Sequence, residues 1–199
     1  MEEMADNPGP APAPEPDAEL AARARDGDEP AFEELFMRHR RRVALIAGRF
    51  FRERAQIEEV VQESFAKAFF ALGEFTNRRD GSFAAWLARI AFNACYDELR
   101  RQRRRPEGAL EELTEGEEAR LRERLEAGGD AEGRAVTRDL ASKLLARLPP
   151  EDRLVLVLLD AEGMSVAEIA ELKGWTASKV KVRAHRARAR LRGVLERFL

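Results

Sequence analysis

The sequence predicts an all-α protein of two small helical domains joined by a flexible acidic linker, the C-terminal one a helix-turn-helix. Three observations carry this. Charged residues fill 36% of the 199 positions and aromatics only 7%, with Ala, Arg, Glu and Leu abundant, a mix that favours helices. Apolar residues recur three and four apart along most of the chain, as on the buried face of a helix. Charge is also segregated beneath a net of −2. Between residues 173 and 199 nine Lys/Arg face Glu196 alone, whereas between 106 and 136 ten acidic residues face four arginines.

In chain order, residues 1–17 hold five prolines and several acids with nothing to bury, and read as a disordered acidic tail. A helical domain follows over 18–105. A short helix spans Ala18 to Arg25, and Asp26-Gly27-Asp28 breaks it and caps the next, with Pro30 in the first turn. Phe32, Leu35, Phe36, Val43, Ile46, Ala47 and Phe50 mark the buried stripe of a long second helix. Arg38, Arg40, Arg41 and Arg42 read as its solvated face. A third helix turns Ile57, Val60, Val61, Ser64, Phe65, Ala68, Phe69 and Leu72 inward and leaves Glu58, Glu59, Gln62 and Glu63 outward. Clustered carboxylates can serve catalysis or metal. Here His39 and His185 are the only histidines and neither has ligand spacing to a partner, so the row fits a docking surface better.

The turn-rich stretch 73–82 carries Phe75, Asn77, Arg78 and Arg79, the aromatic, amide and guanidinium groups that hold an unstacked base. Phe75 could equally plug the core. Ser82 is the expected N-cap of a helix over 83–105. Phe83, Trp86, Leu87, Ile90 and Ala94 anchor its front half, where Asn93 also sits. Arg100, Arg101, Arg103, Arg104 and Arg105 make its end cationic, suited to a polyanion. Pro106 stops it, and 106–136 reads as the acidic linker.

The second domain, 137–199, begins with an amphipathic helix over 139–148 and a second from Arg153 to Ala161. Ser165 and Glu168 form a capping box, Gly174 centres a turn, and Thr176 and Ser178 open a long helix. Val180, Ala184, Ala187, Leu191 and Val194 must face the core. Lys179, Arg183, Arg186 and Arg190 form an outward row, flanked by Lys181, Arg188 and Arg192. Small apolar residues for close packing, N-terminal side chains for base edges and cations for phosphates are what a recognition helix needs. Cys95, the single cysteine, reads as a packing group. With no leader pattern and no apolar run of spanning length, a cytoplasmic protein is expected, with no membrane insertion of its own. Nothing in the sequence calls for a catalytic residue, metal or cofactor.

Several motifs in one order carry a resemblance to a known family. They are Asp28–Phe36 (DEPAFEELF), Glu58–Phe65 (EEVVQESF), Phe83–Asn93 (FAAWLARIAFN) with Asp97–Arg100 (DELR), Leu148–Arg153 (LPPEDR), Val166–Ala170 (VAEIA) and Val180–Arg188 (VKVRAHRAR). Together they resemble the extracytoplasmic-function sigma factors of bacterial RNA polymerase. The resemblance implies a non-enzymatic initiation factor whose partners are core polymerase and promoter DNA, commonly held in check by an anti-sigma factor. It assigns polymerase docking to Glu58, Glu59, Gln62 and Glu63. It assigns the melted −10 element to Phe75, Asn77, Arg78, Trp86, Arg89 and Asn93, with Arg100 and Arg101 on nearby phosphates. The −35 element falls to Thr176, Ser178, Lys179, Lys181, Arg183, Arg186 and Arg190. Lys179, Val182 and Trp175 depart from the residues common in the family. The competing reading is a helix-turn-helix regulator that binds its duplex without being a polymerase subunit.

Overall fold

Capping chemistry sets where the helices begin. The structure is a computed structural model that describes residues 15–76, 81–104 and 143–196, with isolated positions 116, 119 and 141. Helix α1 spans Asp17–Arg25 and α2 Glu29–Ala47. Asp28 joins them: one carboxylate oxygen accepts from the Ala31 N–H at 3.2 Å while the other takes Arg23 at 2.6 and 2.9 Å. The α2 helix ends at Ala47, short of the expected Phe50. Tight turns after it (Arg49 N–H to Ile46 O, Phe50 N–H to Ala47 O) swing Phe50 and Phe51 into the core, so the apolar pattern outruns the helix.

Helix α3 spans Arg54–Ala71 and passes into a 3-10 turn at Leu72–Glu74; α4 spans Phe83–Arg104. The Ser82 hydroxyl accepts from the Ala85 N–H at 3.3 Å, the expected cap. In the second half, α5 begins at Pro150, three residues before the expected Arg153, because proline at the first helical position loses no hydrogen bond. It covers Pro150–Leu156 and continues through a π turn at Val157–Ala161. Helices α6 (Val166–Lys173) and α7 (Ala177–Leu195) complete the helix-turn-helix. Of the helix expected over 139–148, residues 141 and 143–146 are helical among those described. The tail up to residue 14, most of the linker at 106–136, and Asn77 and Arg78 lie outside the described residues.

The two halves do not stand apart. Leu35, Val43, Val60, Phe83, Leu87 and Cys95 from the first half share one continuous buried cluster with Leu154, Leu158, Ile169 and Val180 from the second. Polar contacts tie the same seam. The Tyr96 hydroxyl donates to Glu151 at 3.3 Å, Arg49 reaches the Ala161 carbonyl at 2.7 Å and pairs with Glu162 at 2.8 Å, and Arg153 donates to the Phe50 carbonyl. Cys95 is fully buried, and desolvation pushes its thiol pKa well up, in keeping with a packing group.

Candidate nucleic-acid interface

The helix-turn-helix is set by three local devices. The Ser165 hydroxyl accepts from the Glu168 N–H at 3.2 Å and the Glu168 carboxylate accepts from the Ser165 N–H at 2.7 Å, the reciprocal cap expected from the sequence. That pairing, led by the Ser165 hydroxyl, holds the Glu168 carboxyl below the usual range. Gly174 ends α6 at φ 61°, a left-handed turn that a side chain would strain. The Thr176 hydroxyl then caps α7 by accepting from Lys179 N–H at 3.2 Å. Val180, Ala184 and Ala187 lie buried beneath α7, as their spacing demands.

On the outer face the structure sorts the expected cations. Thr176, Ser178, Lys179, Lys181, Arg186 and Arg190 are exposed, whereas Arg183 is half-buried. Arg183 pairs with Glu151 and, at 3.0 Å, with Asp152; Arg190 takes the other Asp152 oxygen at 2.7 Å. Arg188 pairs with Asp160 at 2.7 Å, and the Lys179 ammonium sits 4.1 Å from the Trp175 ring centre. Lys181, Arg186 and Arg192 form no ion pair with a described residue, which leaves their charge free to meet phosphates. Asp152, completely buried, is the residue that sequence reasoning missed. A charged residue in a helix's first turn after two prolines carries no signal of burial, and its partners lie some thirty residues on.

The front of α4 is a closed aromatic cluster. Phe75 meets Phe83 edge-on at 5.6 Å and Trp86 at 5.1 Å, and Phe75 and Trp86 are each 8% exposed. Phe75 therefore plugs the core here, the bland alternative raised for it, and neither ring offers a free face to a base. Arg89 is exposed, and close enough to Glu168 to lower that carboxyl further. Asn93 is half-buried and its carbonyl oxygen accepts from the Lys173 ammonium at 2.8 Å. The same ammonium lies 4.1 Å from the Tyr96 ring centre, and desolvation in this seam lowers its pKa. At the cationic end Arg100 rests over Tyr96 at 5.7 Å. Arg101 is not free for phosphate: it bonds Glu98 and reaches Glu59 at 3.3 Å and Glu63 at 3.4 Å.

That last contact brings two expected surfaces together. Glu63 is half-buried and pinned by Lys67 at 2.8 Å as well as by Arg101, and Glu58 pairs with Arg54 at 2.8 Å. Glu58, Glu59 and Gln62 stay exposed along α3. Among the described residues no helix is long and apolar enough to cross a membrane, and no three His, Cys, Asp or Glu gather to hold a metal.

Known proteins resemble this chain. Residues 35–105 match the family described as Sigma-70 region 2 and residues 138–191 the one described as Sigma-70, region 4. The ECF RNA polymerase sigma factor SigM of Mycobacterium tuberculosis is 34% identical over 169 residues, 85% of this chain and 79% of that one. The ECF RNA polymerase sigma-E factor of Escherichia coli K12 is 32% identical over 184 residues, 85% and 88% of the respective chains. Among solved structures, CnrH in complex with the cytosolic domain of CnrY superposes with a TM-score of 0.56 at 31% identity, covering 90% of this chain and 97% of that one.

Proposed function

This chain belongs to the extracytoplasmic-function sigma factors of bacterial RNA polymerase, and on that premise we propose how its surfaces divide the work of initiation. It is an alternative sigma factor that binds core polymerase and promoter DNA; the stand-alone regulator is not favoured. The observation that carries this is the pairing, in one chain and in order, of both Sigma-70 regions. The exposed Glu58, Glu59 and Gln62 on α3 dock on the polymerase. The stretch 73–82 with Arg89 and Asn93 holds the opened −10 strand, which offsets part of the few kcal/mol that unstacking each base costs. Trp86 supports that site from beneath, and α7 reads the −35 duplex in the major groove.

In the packing described here these DNA-facing groups are engaged with protein. Asn93 is taken by Lys173, Arg183 by Glu151 and Asp152, and the helix-turn-helix lies on α4. Promoter engagement therefore requires the halves to part, and polymerase, by holding each half separately, supplies the energy. Because CnrH was solved with the cytosolic domain of a second protein, we assign this chain an anti-sigma partner that favours the closed packing. It works where polymerase works, in the cytoplasm, and has no catalytic activity of its own. Run-off transcription with purified core tests the reading. Transcripts from a subset of genomic fragments, dependent on this chain, are expected; no transcript from any fragment would overturn it.

A further inference from the structure

Val182 is the one large apolar side chain left exposed among the described residues of the second half, at 44%. It stands in the front half of α7, whose inward face carries the buried Val180, Ala184 and Ala187. At about 100° per residue, Val182 points roughly 200° away from both Val180 and Ala184. It therefore sits on the face that the helix-turn-helix turns outward. Val182 belongs to no buried cluster, and a β-branched residue favours a helix less than the alanines and arginines around it. Neither core packing nor helix formation accounts for it.

The side chains around Val182 decide what it can meet. Two cations beside it on the helix are already engaged: the Lys179 ammonium sits 4.1 Å from the Trp175 ring centre, and Arg183 is held by Glu151 and Asp152. Ser178, one turn before, and Ala189, two turns after, are exposed and short, so Val182 is the longest apolar group along that line. Lys181 and Arg192 on one flank, and Arg186 on the other, are exposed and pair with no described residue. A helix with cations on both flanks and an apolar tip between them suits a groove walled by phosphates.

We propose that Val182 reads thymine in the −35 element through apolar contact with its 5-methyl group. The base edges in the major groove offer hydrogen-bond donors and acceptors, and the thymine methyl is the apolar group among them. Valine has no polar atom to give the others, and pressing on one of them costs its hydration. The contact selects against cytosine, which lacks the methyl and presents an amino group instead. This assignment rests on the sigma-factor reading, which makes α7 the reader of the −35 duplex.

Promoters that yield transcripts in the run-off assay supply the DNA for the test. The full chain with core polymerase is titrated against each promoter, and against copies in which single −35 thymines on either strand become deoxyuridine. That replacement removes the methyl and nothing else. At one thymine it is expected to weaken wild type about fourfold, the worth of one methyl leaving water. Val182→Ser, which disturbs no buried cluster, is expected to bind the thymine and uridine duplexes equally there. Val182→Ile should keep the preference, and melting curves check that both variants fold. Uridine tolerated by wild type at every position, or a −35 element without thymine, would overturn the proposal. So would the same fourfold loss in Val182→Ser, because the methyl would then be felt by another residue or through DNA shape. Any of these results, obtained with promoters that are transcribed, removes the contact and leaves the sigma-factor reading standing. No transcript from any fragment would remove that reading and the contact with it.

Discussion

Replacing Asp152 by Asn keeps the shape of the most deeply buried carboxylate among the described residues and removes its charge. Asp152 is 0% exposed and accepts from Arg183 at 3.0 Å and Arg190 at 2.7 Å, so it fastens α7 to α5. Charge-assisted hydrogen bonds of this kind contribute about 1.5–3 kcal/mol each. The arginines are 26% and 54% exposed and regain water once released, and the amide oxygen can keep one bond. A net loss of about 2–3 kcal/mol follows after that discount. For a chain of this size it lowers Tm by about 4–12 °C, read by circular dichroism. Duplex affinity at low salt should hold or rise, because two cations are freed toward phosphate. A Tm within about 1 °C of wild type would refute the fastening role. A parallel loss of duplex binding would show that the paired arginines are already in their DNA-reading geometry.

Further outcomes follow from the same contacts. Trp86→Ala should cost about 3–5 kcal/mol and act through folding, since the ring is buried against Phe75 and Phe83. Asn93→Ala should fold normally, bind core normally and impair promoter opening, as permanganate reactivity would show. Ser165→Ala removes the cap of α6 and should cost about 1 kcal/mol, seen as a Tm shift. Because the folded Glu168 carboxyl sits below its unfolded range, its contribution is present at neutral pH and is lost as pH falls through the depressed folded value. Cys95, fully buried with a raised thiol pKa, should react with a thiol reagent at pH 8 only after unfolding.

The local devices were legible because they depend on neighbours in sequence. Asp28, Ser82, Ser165 and Thr176 cap the helices expected of them, and the periodic stripe through Val180, Ala184 and Ala187 is the buried one. What the sequence concealed lies between distant residues. Lys173 on Asn93, Arg101 on Glu59 and Glu63, and Asp152 beneath two arginines join groups separated by thirty to eighty positions, where periodicity carries no information. Composition likewise could not decide whether Phe75 faces a base or the core, since an aromatic in a turn serves both. Arg183 and Arg101 looked like simple phosphate contacts because their counter-charges are non-local.

Permanganate footprinting tests the central claim most directly. Genomic fragments that yield transcripts would be probed with core polymerase alone, this chain alone, and the two together. Reactive thymines near −10 only in the combined sample, and reduced by Asn93→Ala, are the predicted result. Protection of a duplex site by the chain alone, with no reactive thymines when core is added, would contradict the account and return the chain to the regulator reading.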